Sequence, residues 1–62
     1  MLLKITDTTD GQYIGKIVEY NEAGKILTLP TGESMDIEEE IIGEETYILS
    51  NSNYTINLIK TI

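Results

Sequence analysis

The chain contains no cysteine, histidine, arginine, tryptophan or phenylalanine. Without cysteine it cannot form disulfides, and without histidine as well it lacks the usual ligands of structural zinc. A chain of 62 residues buries only about 60% of the surface that its unfolded form exposes, so a domain this small is marginally stable without such staples. We therefore expect one small domain over residues 1–62, stabilised by packing or by association, and we favour a homo-oligomer.

The same absences argue against catalysis. The chain offers no imidazole base, no thiolate nucleophile and no guanidinium to bind phosphate. Its five glycines stand singly at turn-like positions, so a glycine-rich phosphate loop is missing. Paired carboxylates need a cleft between rigidly held acids, which a domain of this size rarely forms. We expect no enzymatic activity and no cofactor.

Long apolar runs are also missing. Only two consecutive leucines precede Lys4, and no stretch approaches the length of a signal-peptide core or a membrane span. We expect a cytoplasmic protein that does not bind a membrane. The absence of cysteine agrees with a reducing compartment.

What the chain has in excess is isoleucine, threonine and tyrosine, which suit a pleated, half-buried surface. Short apolar runs alternate with clusters of Gly, Asn, Asp and Ser, which is typical of an antiparallel meander. Glycine inside the second run indicates a bend of the kind found at the corners of small barrels. The predicted strands cover residues 2–6, 12–20, 25–29, 34–37, 46–50 and 54–62.

Residues 37–42 are ambiguous. Asp36 followed by Glu39 resembles the start of a helix, and Gly43 resembles a helix stop. We therefore predict one short helical turn near 37–42. The fold class is all-β: a small five- or six-stranded antiparallel barrel, SH3-like or OB-like in shape, or an open meander sheet. A two-residue loop at Thr31-Gly32 would place Ile26 opposite Ile37.

The charge is sharply localised. The formal net charge is −7, and residues 33–45 hold 7 of the 11 acids and no lysine. The other 4 acids are balanced by the 4 lysines, so this segment carries the whole net charge. A solvated acidic edge that keeps the protein soluble is one interpretation. The alternative is a surface that binds a basic partner.

Two other ligands are less well supported. A divalent cation could bind at residues 38–40, or at Asp7 and Asp10, but neither stretch has the spacing of a calcium loop, and we predict no metal site. Direct nucleic-acid binding needs clustered basic residues, and four scattered lysines do not provide them. Four tyrosines in a small sheet are more often packing than contact surface. Two or three on one exposed face would nevertheless be good anchors, because tyrosine is enriched at binding hot spots.

The sequence therefore predicts a non-enzymatic interaction module that self-associates and binds a protein partner. The predicted contact residues are Glu38, Glu39, Glu40, Glu44, Glu45, Tyr13 and Tyr47. One alternative is a phage-type acidic inhibitor that occupies the basic nucleic-acid groove of a host enzyme. A second alternative is a small-ligand binder whose pocket forms at a subunit interface.

Overall fold

The protein folds into a single antiparallel sheet of seven strands. The structure is a computed structural model that describes residues 1–61. Neighbouring strands follow the order β4-β3-β2-β1-β7-β6-β5. The strands are β1 (Leu2–Thr8), β2 (Ile17–Asn21), β3 (Ile26–Thr28), β4 (Ser34–Asp36), β5 (Glu39–Ile42), β6 (Thr46–Ser50) and β7 (Thr55–Lys60). The all-β prediction is confirmed, but the sheet has seven strands rather than five or six.

The sheet is strongly curled into a half-barrel, and its concave face holds the hydrophobic core. Period-two alternation along each strand selects the residues that point inward, as in β1, where Leu3 and Ile5 are buried between exposed neighbours. A bulge between Ile5 and Asp7 shifts the pairing of β1 with β7 and increases the local bend. The buried hydrophobic side chains among the described residues are Leu3, Ile5, Val18, Tyr20, Leu27, Ile37, Tyr47, Leu49, Ile56 and Leu58.

The helical turn predicted near 37–42 is wrong, because residues 39–42 of this segment form the strand β5. Among residues 1–61 there is no helix. The amide of Ile37 donates to Lys25 O at 2.8 Å, and the amide of Glu38 donates to Ser50 O at 2.9 Å. The chain thus passes directly from pairing with β3 to pairing with β6. The backbone of residues 39–42 pairs with β6, so these residues cannot also form the hydrogen bonds of a helical turn.

The β3–β4 hairpin has a different register from the one predicted. Ile26 lies opposite Asp36, and Leu27 lies opposite Met35. Its loop has three residues, 30–32, closed by hydrogen bonds from Leu29 N to Glu33 O and from Gly32 N to Leu29 O. Gly32 adopts φ +92°, as expected at the end of a three-residue hairpin loop. The extra loop residue shifts the pairing by one and places Leu27 and Met35 on the inner face.

The remaining strand predictions differ mainly at their ends. The prediction for 46–50 is confirmed as β6. The second strand begins at Ile17 rather than at residue 12, because residues 12–15 form a turn. The last strand is shorter than predicted, Thr55–Lys60, and Ile62, included in the prediction, lies outside the described residues.

Candidate functional site

The four tyrosines divide into two buried and two half-buried side chains. Tyr20 and Tyr47 belong to the core, with exposures of 0% and 4%. Tyr13 and Tyr54 are half-buried and pack against the core from outside it. Tyr47, predicted as a contact residue, therefore offers almost no surface to a partner. Tyr13 and Tyr54 instead line one groove, together with residues from three loops.

Tyr13 is positioned by the loop between β1 and β2. Its φ of 67° is left-handed, and Gly11 and Gly15 on either side have φ of 74° and 87°. A non-glycine residue in this region is uncommon and has to be held there by its surroundings. The carbonyl of Tyr13 accepts a hydrogen bond from Lys16 N at 3.0 Å, and Gly15 N donates to Ile5 O at 2.8 Å. The first bond closes the turn within the loop, and the second attaches the loop to β1 at Ile5.

Asp10 belongs to the same loop, and its side chain holds the loop together through hydrogen bonds. Its Oδ1 accepts hydrogen bonds from the Thr8 hydroxyl at 3.2 Å, from Gln12 N at 3.0 Å and from the Tyr54 hydroxyl. The Tyr54 hydroxyl, followed by the backbone amide of Gln12, lowers the pKa of Asp10 below its ordinary value. Burial, and then the bond to Asp10, raise the pKa of Tyr54. The loop is thereby joined to the residue that precedes β7.

Asn51 shapes the opposite wall of the groove, between β6 and β7. Its Oδ1 accepts from the amides of Asn53 and Tyr54, both at 2.9 Å, which is the pattern of an Asx turn. Its Nδ2 donates to Asp36 O at 3.2 Å. One side chain therefore fixes the turn that presents Tyr54 and ties that turn to the end of β4.

Between these loops and the β3–β4 hairpin lies an open groove of about 300 Å³. Its apolar surface comes from the two tyrosines and from Leu29 and Met35, which are partly buried against the core. Amide and carboxylate groups lie around the rim. Volume, aromatic lining and a few polar groups are the features of a binding site. The lining residues are Asp10, Gln12, Tyr13, Leu29, Met35, Asn51, Asn53 and Tyr54.

The predicted acidic contact residues do not share one face. Strand alternation sends the side chains of Glu39 and Glu40 to opposite sides of β5. Glu40 points inward, where its Oε2 accepts a hydrogen bond from the Tyr20 hydroxyl at 2.5 Å and its Oε1 lies 3.9 Å from Lys25 Nζ. Burial, and then the bond to Glu40, raise the pKa of Tyr20 well above its usual range. Glu40 is thus part of an internal contact.

The other predicted acids are exposed. Glu38 and Glu39 lie at the start of β5, and Glu44 and Glu45 form the turn between β5 and β6. Within residues 1–61, no group of three or more acidic side chains lies close enough together to hold a metal ion. The same residues include no helix long and apolar enough to cross a membrane.

Of the predicted contact residues, Tyr13 lies on the groove, whereas Tyr54 and the groove itself were not predicted. A signal for Tyr54 was present, because it directly follows the turn-forming residues 51–53 and precedes a clean period-two strand. Comparisons with protein-family models, with curated proteins and with solved structures find no match to this chain.

Proposed function

We propose that the protein is a non-enzymatic module that binds an extended peptide segment of a partner protein in the groove between Tyr13 and Tyr54. The observation that carries the proposal is the convergence of these tyrosines with Leu29 and Met35 at one end of the half-barrel. The lack of histidine, cysteine and arginine supports the non-catalytic part of the proposal.

The shape and chemistry of the groove favour a peptide. Two tyrosine rings and two aliphatic side chains give an apolar floor for one or two side chains of a ligand. Asn53 and Gln12 carry side-chain amides on the lining of the groove, and such groups pair with the backbone of an extended chain. Tyrosine presents large contact area with little loss of side-chain entropy. The groove is open to solvent, so a chain can enter and leave it.

Charge further restricts the class of peptide that the groove would bind. Asp10 lies on the groove, and its pKa is lowered by the Tyr54 hydroxyl, so it is anionic at neutral pH. The chain as a whole carries −7, which attracts cationic ligands and repels anionic ones. The proposed ligand is a segment with one or two apolar side chains and a neighbouring Lys or Arg.

The proposal is tested with a random peptide library displayed on phage and selected against the immobilised protein. Selected peptides are then synthesised and titrated into the protein and into two variants. Met35→Lys places a cation in the groove without touching the hydrogen bonds of the loops. Ala23→Lys makes the same charge change in the exposed β2–β3 loop, at the other end of the sheet.

We expect selected peptides to combine apolar and basic residues, and to lose at least tenfold in affinity for Met35→Lys but not for Ala23→Lys. Backbone amide shifts on titration should concentrate in residues 10–13 and 51–54. Selection that yields no binder, or peptides that bind Met35→Lys as well as the unmodified protein, would reject the groove as the site.

A second candidate function rests on the acidic segment, in which six of the seven acids in residues 33–45 are exposed. These acids lie along the bent stretch β4–β5 and its flanking turns. A basic groove of a nucleic-acid enzyme would contact them there. The double variant Glu38→Gln/Glu39→Gln tests this idea and leaves the Glu40 contact with Tyr20 intact. Salt-sensitive binding to a basic enzyme that this variant weakens would support it, and binding indifferent to salt and to the variant would exclude it.

A further inference from the structure

The strand β5 lies at one end of the sheet and has unpaired backbone groups on the side away from β6. It pairs with β6 alone. The amide of Gly43, directly after β5, donates to Thr46 O at 2.8 Å. Because backbone groups alternate in direction along a strand, the N–H and C=O of Glu40 and Ile42 point away from β6. None of the hydrogen bonds within residues 1–61 reaches these four groups.

The strand at the other end of the sheet, β4, is partly satisfied on its free side. By the same alternation, its ladder with β3 leaves the backbone groups of Ser34 and Asp36 pointing outward. Asn51 Nδ2 donates to Asp36 O at 3.2 Å, so the β6–β7 turn contacts this side of β4. In the part of the chain that the structure describes, no side chain donates to the free side of β5 in this way. Of the two end strands, β5 is therefore the better template for a further strand.

The isoleucine side chains of β5 are uncovered as well. Ile41 is 63% exposed, the highest value among the exposed large hydrophobic residues. Ile42 lies opposite Tyr47 on the inner face, yet it is 48% exposed whereas Tyr47 is 4% exposed. The apolar surface of the core thus continues onto Ile42, where no strand follows. A strand added beside β5 would cover the two isoleucines and pair the free backbone groups, the two sources of affinity in β-strand addition.

The charges around β5 select the kind of strand that fits. Glu38 and Glu39 precede the isoleucines, Glu44 and Glu45 follow them, and all four are exposed. An added strand with Lys or Arg on both sides of an apolar pair would place opposite charges together at both ends. A second copy of β5 fits poorly, because full antiparallel overlap places a glutamate opposite an isoleucine at every position. The two copies would also each carry −7.

We propose that β5 is a strand-addition site for an extended segment of a partner protein in which Lys or Arg residues flank two adjacent apolar residues. The segment runs antiparallel to β5 and extends the sheet by one strand. Its apolar pair lies opposite Ile42 and Ile41, and its basic residues contact the glutamates that flank them. The site is separate from the groove, because no residue of β5 lines the groove.

The probe is a capped synthetic peptide, Lys-Lys-Val-Ile-Thr-Lys-Lys. In the proposed register its valine lies opposite Ile42, its isoleucine opposite Ile41 and its threonine opposite Glu40. Only the valine and the threonine then direct their backbone groups at β5. N-methylation of either should weaken binding at least tenfold, because it removes a main-chain hydrogen bond. N-methylation of the isoleucine between them, whose amide faces solvent, should change the affinity little.

Three variants of the protein locate the site. Ile42→Pro removes the outward N–H of β5 and spares the ladder with β6, so it should weaken binding at least tenfold. Ser34→Pro makes the same change at an outward position of β4 and is the matched control. Met35→Lys alters the groove and should bind the peptide as the unmodified protein does. Affinity and the affected amides are measured by NMR titration, and folding is checked by circular dichroism.

We expect saturable binding with a Kd below about 1 mM, amide shifts centred on residues 40–42 and the alternating effect of N-methylation. No saturable binding, or equal losses for all three N-methylated peptides, would overturn the proposal. The peptide series decides this even where Ile42→Pro does not fold. Binding lost in Met35→Lys but kept in Ile42→Pro would place the peptide in the groove and refute strand addition. A dimer of the protein alone that Ile42→Pro abolishes would make a second copy the occupant, against the proposal.

Discussion

The hydroxyl of Tyr20 donates a hydrogen bond to Oε2 of Glu40 at 2.5 Å, although their strands are not neighbours in the sheet. β2 and β5 belong to opposite wings, separated by three other strands in the sheet order. The bond therefore spans the interior of the half-barrel. Tyr20 has no exposed surface, so its hydroxyl relies on Glu40 in place of water.

Replacing Tyr20 by phenylalanine should destabilise the protein. The change leaves a half-buried carboxylate oxygen without its donor, which costs about 1–3 kcal/mol. The free energy of unfolding is measured by urea titration. Tyr47→Phe is the control, because it removes a hydroxyl from the other core tyrosine, which does not donate to Glu40. Equal losses in the two variants would show that the bond across the interior adds nothing.

The same pair predicts a loss of stability at high pH. The pKa of Tyr20 is raised in the folded state by burial and by Glu40, so the folded protein keeps this proton when the unfolded chain loses it. The stabilisation is present below the ordinary tyrosine pKa of 10.0 and declines as the pH rises above it. The stability difference between the protein and Tyr20→Phe should therefore shrink above about pH 10. A difference that stays constant from pH 8 to pH 11 contradicts this.

At low pH the sensitive residue is Asp10. Its pKa is lowered in the folded state, first by the Tyr54 hydroxyl and then by the amide of Gln12. Its contribution is present above the ordinary value of 3.8 and is lost as the pH falls through the lower folded value. Asp10→Asn should flatten this acid dependence and speed amide hydrogen exchange in the β1–β2 loop. Asp36→Asn, exposed on β4, is the matched control and should leave exchange in that loop unchanged.

Gly32→Ala should destabilise the β3–β4 hairpin through the backbone alone. A Cβ at this position meets no atom within 4 Å, but its φ of +92° is one that L-residues avoid. We expect a loss of about 1–2 kcal/mol. Gly24→Ala is the control, because the nearest atom to its Cβ would lie 3.5 Å away, an ordinary contact, and its φ is not positive. Thermal melts of both variants measure the difference, which should be absent if the loop relaxes.

The hairpin register is tested by cross-linking. Lys25, Leu27 and Leu29 are on the hydrogen-bonded side of the β3–β4 ladder, so Ile26 and Asp36 form the intervening pair, whose Cα atoms are about 4.5 Å apart. The double variant Ile26→Cys/Asp36→Cys should close a disulfide on mild oxidation. Ile26→Cys/Ile37→Cys, the pair implied by a two-residue loop, should remain reduced. Mass spectrometry after thiol labelling distinguishes the two, and the reverse result would refute the three-residue loop.

Strand content was predictable from the sequence, whereas the geometry that joins the strands was not. The β-prone run of residues 46–50 predicts β6, but Ile48 between Tyr47 and Leu49 makes both faces of the strand apolar, so the sequence does not indicate that Tyr47 points inward. Residues 37–42 were misread because local cues for a helix start cannot reveal that the amides of Ile37 and Glu38 find partners on two distant strands. Long-range pairing overrides local propensity there.

The groove could not be predicted from the sequence, for a similar reason. Tyr13 and Tyr54 lie far apart in sequence, and they meet only because the β1–β2 and β6–β7 loops emerge at the same end of adjacent antiparallel strands. Strand order cannot be read from period-two patterns. The bond of Tyr54 to Asp10 depends in turn on a loop with several left-handed residues, which single-residue preferences do not specify.

The two neighbouring amides at Ile37 and Glu38 also determine how the molecule comes apart. A row of strands in which each touches only its neighbours can fray one strand at a time, as repeat proteins do. Here β4 and β5, the two ends of the row, belong to one continuous chain segment. In the middle of this segment, the amide of Ile37 bonds to Lys25 O beside β3, and the amide of Glu38 bonds to Ser50 O in β6. The continuous segment thus joins β4 and β5, the two ends of the row, and we expect neither end to separate without disturbing the other. The 62-residue chain should therefore unfold cooperatively, as one unit, with the exchange of these two amides reporting on global opening.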